Sequence, residues 1–299
     1  MGSPSLSFAN QKQLEVTITL GAGKTFASGK DTLSFAGLKT SVNLDSGGSF
    51  TGANLRARIF GLNQSDMNQI TYLSWMPQPQ LGPPNTITVN AIDGQQSALV
   101  FTGLIIQAFG NYQAAPEVYL DIQATATQAA QLATVSPLSI ASDTTIDVVM
   151  GQLAKQMGFA FENNGVKVTV PKGTYLGNTA YFQAQSLMQA YRFDMFIDRG
   201  VLAICPTGTA RNTIVIPLIS SESGLDGYPY FNTQGIIFDT RFNSDIIFGG
   251  SVQIQSEVEP ANGTWQVINI SHTLESITPG GRWHSTVNCN KTGIAGVPA

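Results

Sequence analysis

The stretches TWQVINISHTLE (264–275) and RWHSTVNCN (282–290) alternate apolar and polar residues over most of their length. Such alternation is typical of strands with one buried face. The six residues between them, SITPGG (276–281), end in Gly280 and Gly281, which permit a sharp reversal of the chain. The region therefore predicts an antiparallel hairpin, and it indicates a fold built mainly from β-sheet.

The apolar residues of this hairpin select one register. Pairing Leu274 with Trp283 keeps apolar side chains opposite one another, whereas a slip by one residue would turn them to different faces. The same register pairs His272 with Ser285, Ile270 with Val287 and Ile268 with Cys289. We interpret the hairpin as a structural framework, whose members are Trp265, His272, Leu274, Gly280, Gly281, Trp283 and Val287.

Both histidines of the protein lie in this hairpin. The predicted register places His272 on the apolar face with Leu274, and His284 on the other face with Glu275. The two imidazoles therefore point apart and cannot share a metal ion, since zinc sites need three or four converging ligands. We expect a buried, hydrogen-bonded His272, and no metal ion, cofactor or catalytic residue.

Short alternating segments recur along the rest of the chain, separated by Gly, Pro, Asn and Asp. In the first 125 residues they are 14–20, 54–60, 86–92, 98–109 and 117–124, with a helical turn expected at 63–70. After residue 208 they are 212–219, 234–240 and 251–258. Many short strands with this punctuation predict a sandwich or a barrel.

A different pattern occupies residues 142–208, for which we predict a small αβαββ module. Its first helix ends at Gly158, is capped by Ser142 or Asp143, and has one apolar face. That face consists of Ile146, Val149, Met150, Leu153 and Met157. A strand (165–171), a second helix (178–191) and a hairpin that turns at 198–200 complete the module.

The layout strand, Gly turn, strand, Pro loop, strand occurs in 86–124 and again in 251–290. This faint repeat suggests two related β-domains around the α+β module. We therefore divide the chain into a first β-barrel domain (1–125), a linker strand with the α+β module (126–208) and a second β-barrel domain (209–299). Strands from 117–141 are a possible complement to the second barrel.

Charged residues make up only 11% of the chain, which suits faces covered by other subunits and equally suits an ordinary secreted β-protein. No Lys or Arg lies between Arg58 and Lys155, which argues against tight binding of nucleic acid through its phosphates. No apolar run reaches the length of a membrane helix. Cys205 and Cys289 lie in apolar strand patterns and are expected to be buried free thiols, although a disulfide between them stays open.

Three further patterns could carry chemistry. GAGKT (21–25) lacks the first glycine of a phosphate loop and predicts a turn. Glu257 and Glu259 share one face of a predicted strand and are candidates for a general acid/base pair, but a solvated or subunit-facing edge is favoured. Four aromatic residues of the module would support glycan binding if they formed an exposed row: Tyr175, Tyr181, Phe182 and Tyr191.

Several segments resemble the baseplate hub proteins of contractile-tailed bacteriophages, which join the tail tube to the central spike. The resemblance lies in GLDGYPYFNTQGIIFDTRFNSDIIFGGSVQIQSE (224–257), NGTWQVINISHTLES (262–276) and PGGRWHSTVNC (279–289). In the module it lies in TTIDVVMGQLAKQMGF (144–159) and FDMFIDRGVLAICP (193–206).

The resemblance implies two tail-tube-like β-barrels with inserted modules, assembled as a homotrimer so that six barrels match a sixfold tube. It implies a non-enzymatic virion protein of the tail baseplate, assembled in the host bacterial cytoplasm. The implied partners are the tail tube protein, the central spike protein, other baseplate proteins and DNA, which would pass through the lumen without specific binding during genome ejection. The alternative is a glycan-binding adhesion module of a virion or an injection system.

Overall fold

A computed structural model describes residues 12–21, 23–47, 52–73, 85–94 and 96–291. The strands are β1 (Lys12–Thr19), β2 (Thr32–Phe35), β3 (Thr40–Gly47), β4 (Ala53–Phe60), β5 (Tyr72–Leu73), β6 (Thr86–Asp93), β7 (Gln96–Asn111), β8 (Tyr119–Thr125), β9 (Leu138–Ser139), β10 (Thr144–Thr145), β11 (Ala160–Asn163), β12 (Thr169–Val170), β13 (Tyr175–Leu176), β14 (Phe193–Asp198), β15 (Val201–Pro206), β16 (Leu218–Ile219), β17 (Leu225–Phe231), β18 (Ile236–Arg241), β19 (Ser251–Ile254), β20 (Gly263–Ser276) and β21 (Trp283–Lys291). The helices are α1 (Gln64–Ile70), α2 (Gln128–Leu132), α3 (Ile146–Met157), α4 (Ala180–Tyr191) and a 3-10 turn (Glu259–Ala261).

The predicted mainly-β fold is confirmed, and one large sheet of 14 strands dominates it. Its main path runs β17-β18-β21-β20-β3-β4-β8-β7-β6-β1-β2, and every ladder along this path is antiparallel. In the part of the chain that the structure describes, no ladder joins β17 to β2. The closed barrels that the sequence suggested are therefore not present there, and one continuous sheet joins the two halves.

The long strand β20 explains this continuity. Its first residues, 263–266, pair with β19, whereas 269–276 pair with β3. Along its other edge β20 pairs with β21. Because one strand belongs to the ladders of both halves, the sheet cannot separate into two closed units at this point.

Three hydrophobic clusters form the interior. The first gathers the alternate inward side chains of β1, β3, β4, β6, β7 and β8, together with Leu274 and Trp283 of the hairpin. Strands from β20 and β21 along the path to β1 share this cluster, so this part of the sheet is curled around it. Helix α1, which occupies the predicted turn at 63–70, adds Met67 and Ile70. β8 pairs with β4 and β7, within the first half.

The second cluster is the interior of the α+β module, where α3 and α4 contribute buried side chains together with β14 and β15. All five apolar residues predicted for α3 are buried. Gly158 ends the helix with φ 80°, as predicted. The predicted caps Ser142 and Asp143 are wrong, because α3 begins directly after β10, with Thr145 at the N-cap, and the Asp143 carboxylate instead accepts a hydrogen bond from the backbone N–H of Lys172 (2.9 Å).

The third cluster joins the module to the second half of the sheet. Side chains of β14 and β15 alternate between two interiors: Met195, Ile197, Leu202 and Ile204 contact the helices, while Phe196, Ala203 and Cys205 pack against β18–β21. Phe196 lies edge-to-face on Phe248 with ring centroids 5.1 Å apart. The three-stranded sheet β11-β15-β14 is therefore packed on both faces.

Three predicted strands are shorter in the structure. Of 165–171 only β12 pairs, 251–258 ends as β19 at Ile254, and 212–219 is reduced to β16. In the last case the chain is held beside the module at Asn212, whose backbone N–H donates to the Asn164 side chain (2.8 Å). It reaches the edge of β19 only at residues 217–219. The apolar residues between these points form no ladder with a described strand.

None of the described helices is long and apolar enough to cross a membrane.

Candidate functional site: a hairpin shared by two cores

The predicted hairpin register is confirmed for its first three pairs: Leu274–Trp283, His272–Ser285 and Ile270–Val287. The fourth pair is wrong, because a bulge at Ile268 shifts the register and brings Cys289 opposite Val267. The extra residue reverses the alternation, so Val267 and Ile270 are both buried. The bulge thus lets both ends of β20 present apolar residues to the interior.

His272 lies at the junction of the two cores. Its Nδ1 is 2.7 Å from the Ser285 hydroxyl, and its ring lies edge-to-face on Phe242 at 5.1 Å. Burial, and secondarily the charge of Arg199, lowers the pKa of His272 to about 3. The imidazole is therefore neutral near pH 7 and serves as a packed hydrogen-bonding group, as the sequence suggested.

The remaining framework residues connect the same two interiors. Leu274 and Trp283 belong to the first cluster, while Trp265 and Val287 belong to the third. Near the start of β20, the Trp265 indole N–H donates to the Ala261 carbonyl (2.8 Å). One face of a single hairpin thus contributes to both cores.

The hairpin loop needs its two glycines. Gly280 has φ 68°, in the left-handed region that disfavours a side chain. A Cβ added at Gly281 would meet the Thr278 carbonyl oxygen at 2.9 Å and the Glu275 backbone at 3.1 Å. Both positions therefore require glycine for the observed turn.

On the outer side of the hairpin, a solvent-open cleft of about 840 Å³ lies beside this loop. Its polar walls include Lys12, Asp226, Arg241, Glu275 and His284. His284 Nδ1 is 3.4 Å from Asp226 Oδ2, and Glu275 accepts a hydrogen bond from the Arg282 backbone (2.9 Å).

Sequence reasoning missed this cleft, because its walls come from β1, β17, β18 and the hairpin. Burial lowers the pKa of Lys12, and the charge of Asp93 partly offsets this. The walls carry charges of both signs, and His284 lies beside Asp226. Across the described ranges no group of His, Cys, Asp and Glu is arranged to hold a metal ion. His272 and His284 belong to opposite faces of β20–β21, as predicted.

Two arginines fasten the module to the second half of the sheet. Arg199, at the turn of the β14–β15 hairpin, donates to the carbonyls of Ser244 (2.8 Å) and Ile246 (3.1 Å). Arg211 is almost fully buried, and it donates to the Phe248 carbonyl (3.2 Å) and to Glu162 (2.9 Å). These contacts join segments far apart in sequence, which is why no local pattern revealed them.

Cys205 and Cys289 are both buried and free, so the expected thiol state is confirmed. Burial raises the pKa of Cys205 to about 12 and raises the pKa of Cys289 as well. Since the thiolate is the reactive form, neither residue is suited to nucleophilic or redox chemistry.

The residues considered for catalysis or glycan binding do not form the expected sites. Glu257 and Glu259 lie beyond the end of β19, which corrects the single strand face predicted for them. Glu257 accepts a hydrogen bond from the Tyr228 hydroxyl (3.1 Å). Of the four module aromatics Tyr181 is buried and Tyr191 half-buried, so only Tyr175 and Phe182 are exposed. GAGKT falls between β1 and β2, with its second residue outside the described ranges.

Solved structures define the class of fold. The chain is similar to a tail protein from Neisseria meningitidis MC58, with a TM-score of 0.61, 10% identity, and coverage of 94% of this chain and 98% of that one. It is also similar to the 43 kDa tail protein of prophage MuSo2 from Shewanella oneidensis, with a TM-score of 0.58, 10% identity and coverage of 93% and 97%. The fold is therefore that of phage tail proteins.

Comparison of the sequence with protein-family profiles shows the family to which the chain belongs. The profile of the family described as Baseplate hub gp41 matches residues 61–280, well over half of the chain. The chain therefore belongs to this family of phage baseplate hub proteins, as its resemblance suggested. No curated protein matches the sequence.

Proposed function

We propose that this chain is the structural, non-enzymatic hub of a contractile phage tail. In this role it forms a ring that joins the tail tube to the central spike and contacts other baseplate proteins. The observation that carries the proposal is the shared hairpin: in a chain of the baseplate hub family, β20 pairs with β19, β21 and β3 and so couples the two halves of the sheet. An adaptor that passes load between a tube and a spike needs such coupling.

Within this proposal the framework hairpin keeps the role assigned from sequence. The proposed units are a first tube-like domain (1–125), the linker and α+β module (126–208) and a second tube-like domain (209–299). The separate hydrophobic clusters support three units, and the continuous sheet requires that the first and third remain joined.

The proposed assembly is a homotrimer, in which six tube-like units face a sixfold tube. The low content of charged residues supports covered subunit faces. A closed ring also covers free strand edges, which a lone chain leaves open at β2 and β17 in its described part.

DNA passing through the lumen must not adhere to its wall. Arg56 and Arg58 stand on the outer face of the sheet, but both lie against the buried Asp121 at 3.0 Å and 3.5 Å. Their charges are therefore partly compensated, and no other Lys or Arg follows until Lys155. This arrangement favours passage over binding.

Tail assembly in the absence and presence of the chain tests the proposal. We expect tails that lack the chain to carry tubes without an attached spike when viewed by electron microscopy, and added wild-type protein to restore the attachment. Glu257→Gln should restore attachment as well as the wild type, because the proposal gives that carboxylate no catalytic role. Complete tails with spikes in the absence of the chain would reject the hub function.

A further inference from the structure

A small cavity lies where the two halves of the sheet meet the α+β module. It leaves about 10 Å³ of space for the centre of a water molecule, close to the roughly 10–15 Å³ that one ordered water needs. Ser46 and Val100 line it from the first half, Asp198 from the module, Ser244 from the chain after β18, and His272 from β20. The cavity therefore touches every unit of the fold.

Two buried side chains that line this cavity have hydrogen-bonding groups to spare. Ser46 is only 4% exposed and His272 only 6%. Among the described residues the His272 ring makes its hydrogen bond through Nδ1, to the Ser285 hydroxyl at 2.7 Å, while its Nε2 and the Ser46 hydroxyl make none. Because buried polar groups are almost always hydrogen-bonded, His272 Nε2 and Ser46 Oγ indicate a small polar ligand.

The sheet places these two groups at a separation that one small molecule can bridge. In the ladder of β3 with β20, Leu44 lies opposite His272 and Ser46 lies opposite Ile270. Ser46 and His272 are therefore diagonal neighbours on the inward face, with backbones roughly 7–8 Å apart. Both side chains line the same cavity, and a molecule bound there can reach both.

The module supplies a hydrogen-bond acceptor to the same cavity. Asp198 is the last residue of β14 and is buried. Its Oδ2 accepts a hydrogen bond from Arg199 Nε (3.2 Å), whereas its Oδ1 accepts none within the described chain. The walls of the cavity thus carry polar groups from three units, unlike the apolar cavities that stay dry.

The bond between His272 and Ser285 determines which ring nitrogen carries the proton. The imidazole is neutral, so one nitrogen donates and the other accepts. In the described chain the Ser285 hydroxyl has no other partner, so its proton is used only if it donates to Nδ1. Nε2 then carries the ring proton. His272 and Ser46 are therefore donors to the cavity, and Asp198 is the acceptor.

We propose that this cavity binds one water molecule. The water accepts hydrogen bonds from the Nε2–H of His272 and from the Ser46 hydroxyl, and it donates one to the Asp198 carboxylate. Three such bonds are typical of a buried water. Because the three groups belong to the shared hairpin, the first half and the module, the water links all three units. The site does not depend on the proposed hub function.

NMR of the full chain with 15N-labelled histidine tests the assignment of the ring proton. Near pH 7 we expect His272 to show a protonated Nε2 and an unprotonated Nδ1. The protein has two histidines, so His284→Leu identifies the signals of His272. A proton on Nδ1 would overturn the proposed hydrogen bonds, because Nε2 would then have no proton to donate to the water.

Crystal structures of the wild type and of two matched variants test the site itself. The wild type should show one water within hydrogen-bond distance of His272 Nε2, Ser46 Oγ and Asp198. Ser46→Val puts a methyl group in place of the hydroxyl and a second one into the cavity, so the water should be lost and the Nε2 signal should shift. Ser41→Val is the same change on the other face of β3 and should leave both unchanged.

A wild-type cavity without water would overturn the proposal. An unchanged Nε2 signal in a Ser46→Val protein that has lost the water would also overturn it, because His272 would then not be a partner of that water. If Ser46→Val does not fold, the water position and the ring proton of the wild type decide the question by themselves.

Discussion

Residues 264–290 and residues 212–219 both have sequences that predict strands, but they adopt different structures. Both are rich in apolar residues, many of them β-branched, and both predict strands. The first region forms the hairpin β20–β21, which is paired on both sides and buried on one face, whereas the second pairs only at β16 and exposes Ile214 fully. A sequence rich in β-branched apolar residues therefore indicates the capacity to form a strand, and the availability of a neighbouring edge decides whether a strand forms.

Truncation of a large residue in each region should show most clearly how differently the two regions are packed. Trp283→Ala removes a ring packed against Phe242 in the first core, and we expect a loss of about 3–5 kcal/mol in the free energy of unfolding. Ile214→Ala should change it by less than about 0.5 kcal/mol in the monomer. Urea unfolding measures both, and a small effect of Trp283→Ala would show that the hairpin is less tightly packed than described.

The pH dependence of stability should reveal the burial of the hairpin. Because the folded pKa of His272 is about 3, against an ordinary value of 6.5, the unfolded chain binds a proton that the folded chain rejects between these values. Stability should therefore fall as pH decreases from 6.5 towards 3, by up to about 1.4 kcal/mol per pH unit from this residue.

The comparison variant is His272→Leu, which should fold and show a shallower slope over the same range. Other acid-titrating groups contribute equally to both proteins, so the difference between the two curves isolates the histidine. Identical slopes would mean that the imidazole is accessible to protons in the folded state.

Replacement of the buried cation that fastens the module should have a smaller effect. Arg211→Met removes hydrogen bonds to Phe248 and Glu162, and we expect a loss of about 1–3 kcal/mol in the free energy of unfolding. Lys39→Met, which breaks the exposed pair with Glu117, is the control and should cost no more than about 1 kcal/mol. Equal losses would argue that the module is not held through Arg211.

The most local change concerns the hydrogen bond between His272 Nδ1 and the Ser285 hydroxyl, whose atoms are 2.7 Å apart. Ser285→Ala should lower the free energy of unfolding by about 1–3 kcal/mol, since it leaves a buried imidazole nitrogen unpaired. In the His272→Leu background the same change should have almost no effect. A double-mutant cycle measures this difference, and additive losses would show that the bond contributes little.

Sequence alone predicted the elements whose partners are local. The hairpin register followed from Leu274 and Trp283, and helix α3 followed from its apolar face and Gly158. The sequence could not predict the bulge at Ile268. The bulge lies between the part of β20 that pairs with β19 and the part that pairs with β3, and both partner strands are separate from the hairpin. Local alternation carries no information about distant edges.

The same limit applies to the sites. The neutral, buried His272 was predictable from its place in the hairpin, and so was the separation of the two histidines. The cleft was not, because Lys12 and Asp226 reach it from strands more than 200 residues apart in sequence. The buried Arg211 gave no signal either, since its partners Glu162 and Phe248 lie well away along the chain.

The three-stranded sheet of the module, packed on both faces, also constrains how such a protein can evolve. On its helical side, α3 and α4 pack into the module's own hydrophobic cluster, so that layer can be exchanged or enlarged as long as Met195, Ile197, Leu202 and Ile204 remain covered. The other side completes the core beneath β18–β21. A lineage can therefore remodel the helices, whereas deletion of the strands would leave that core open to water.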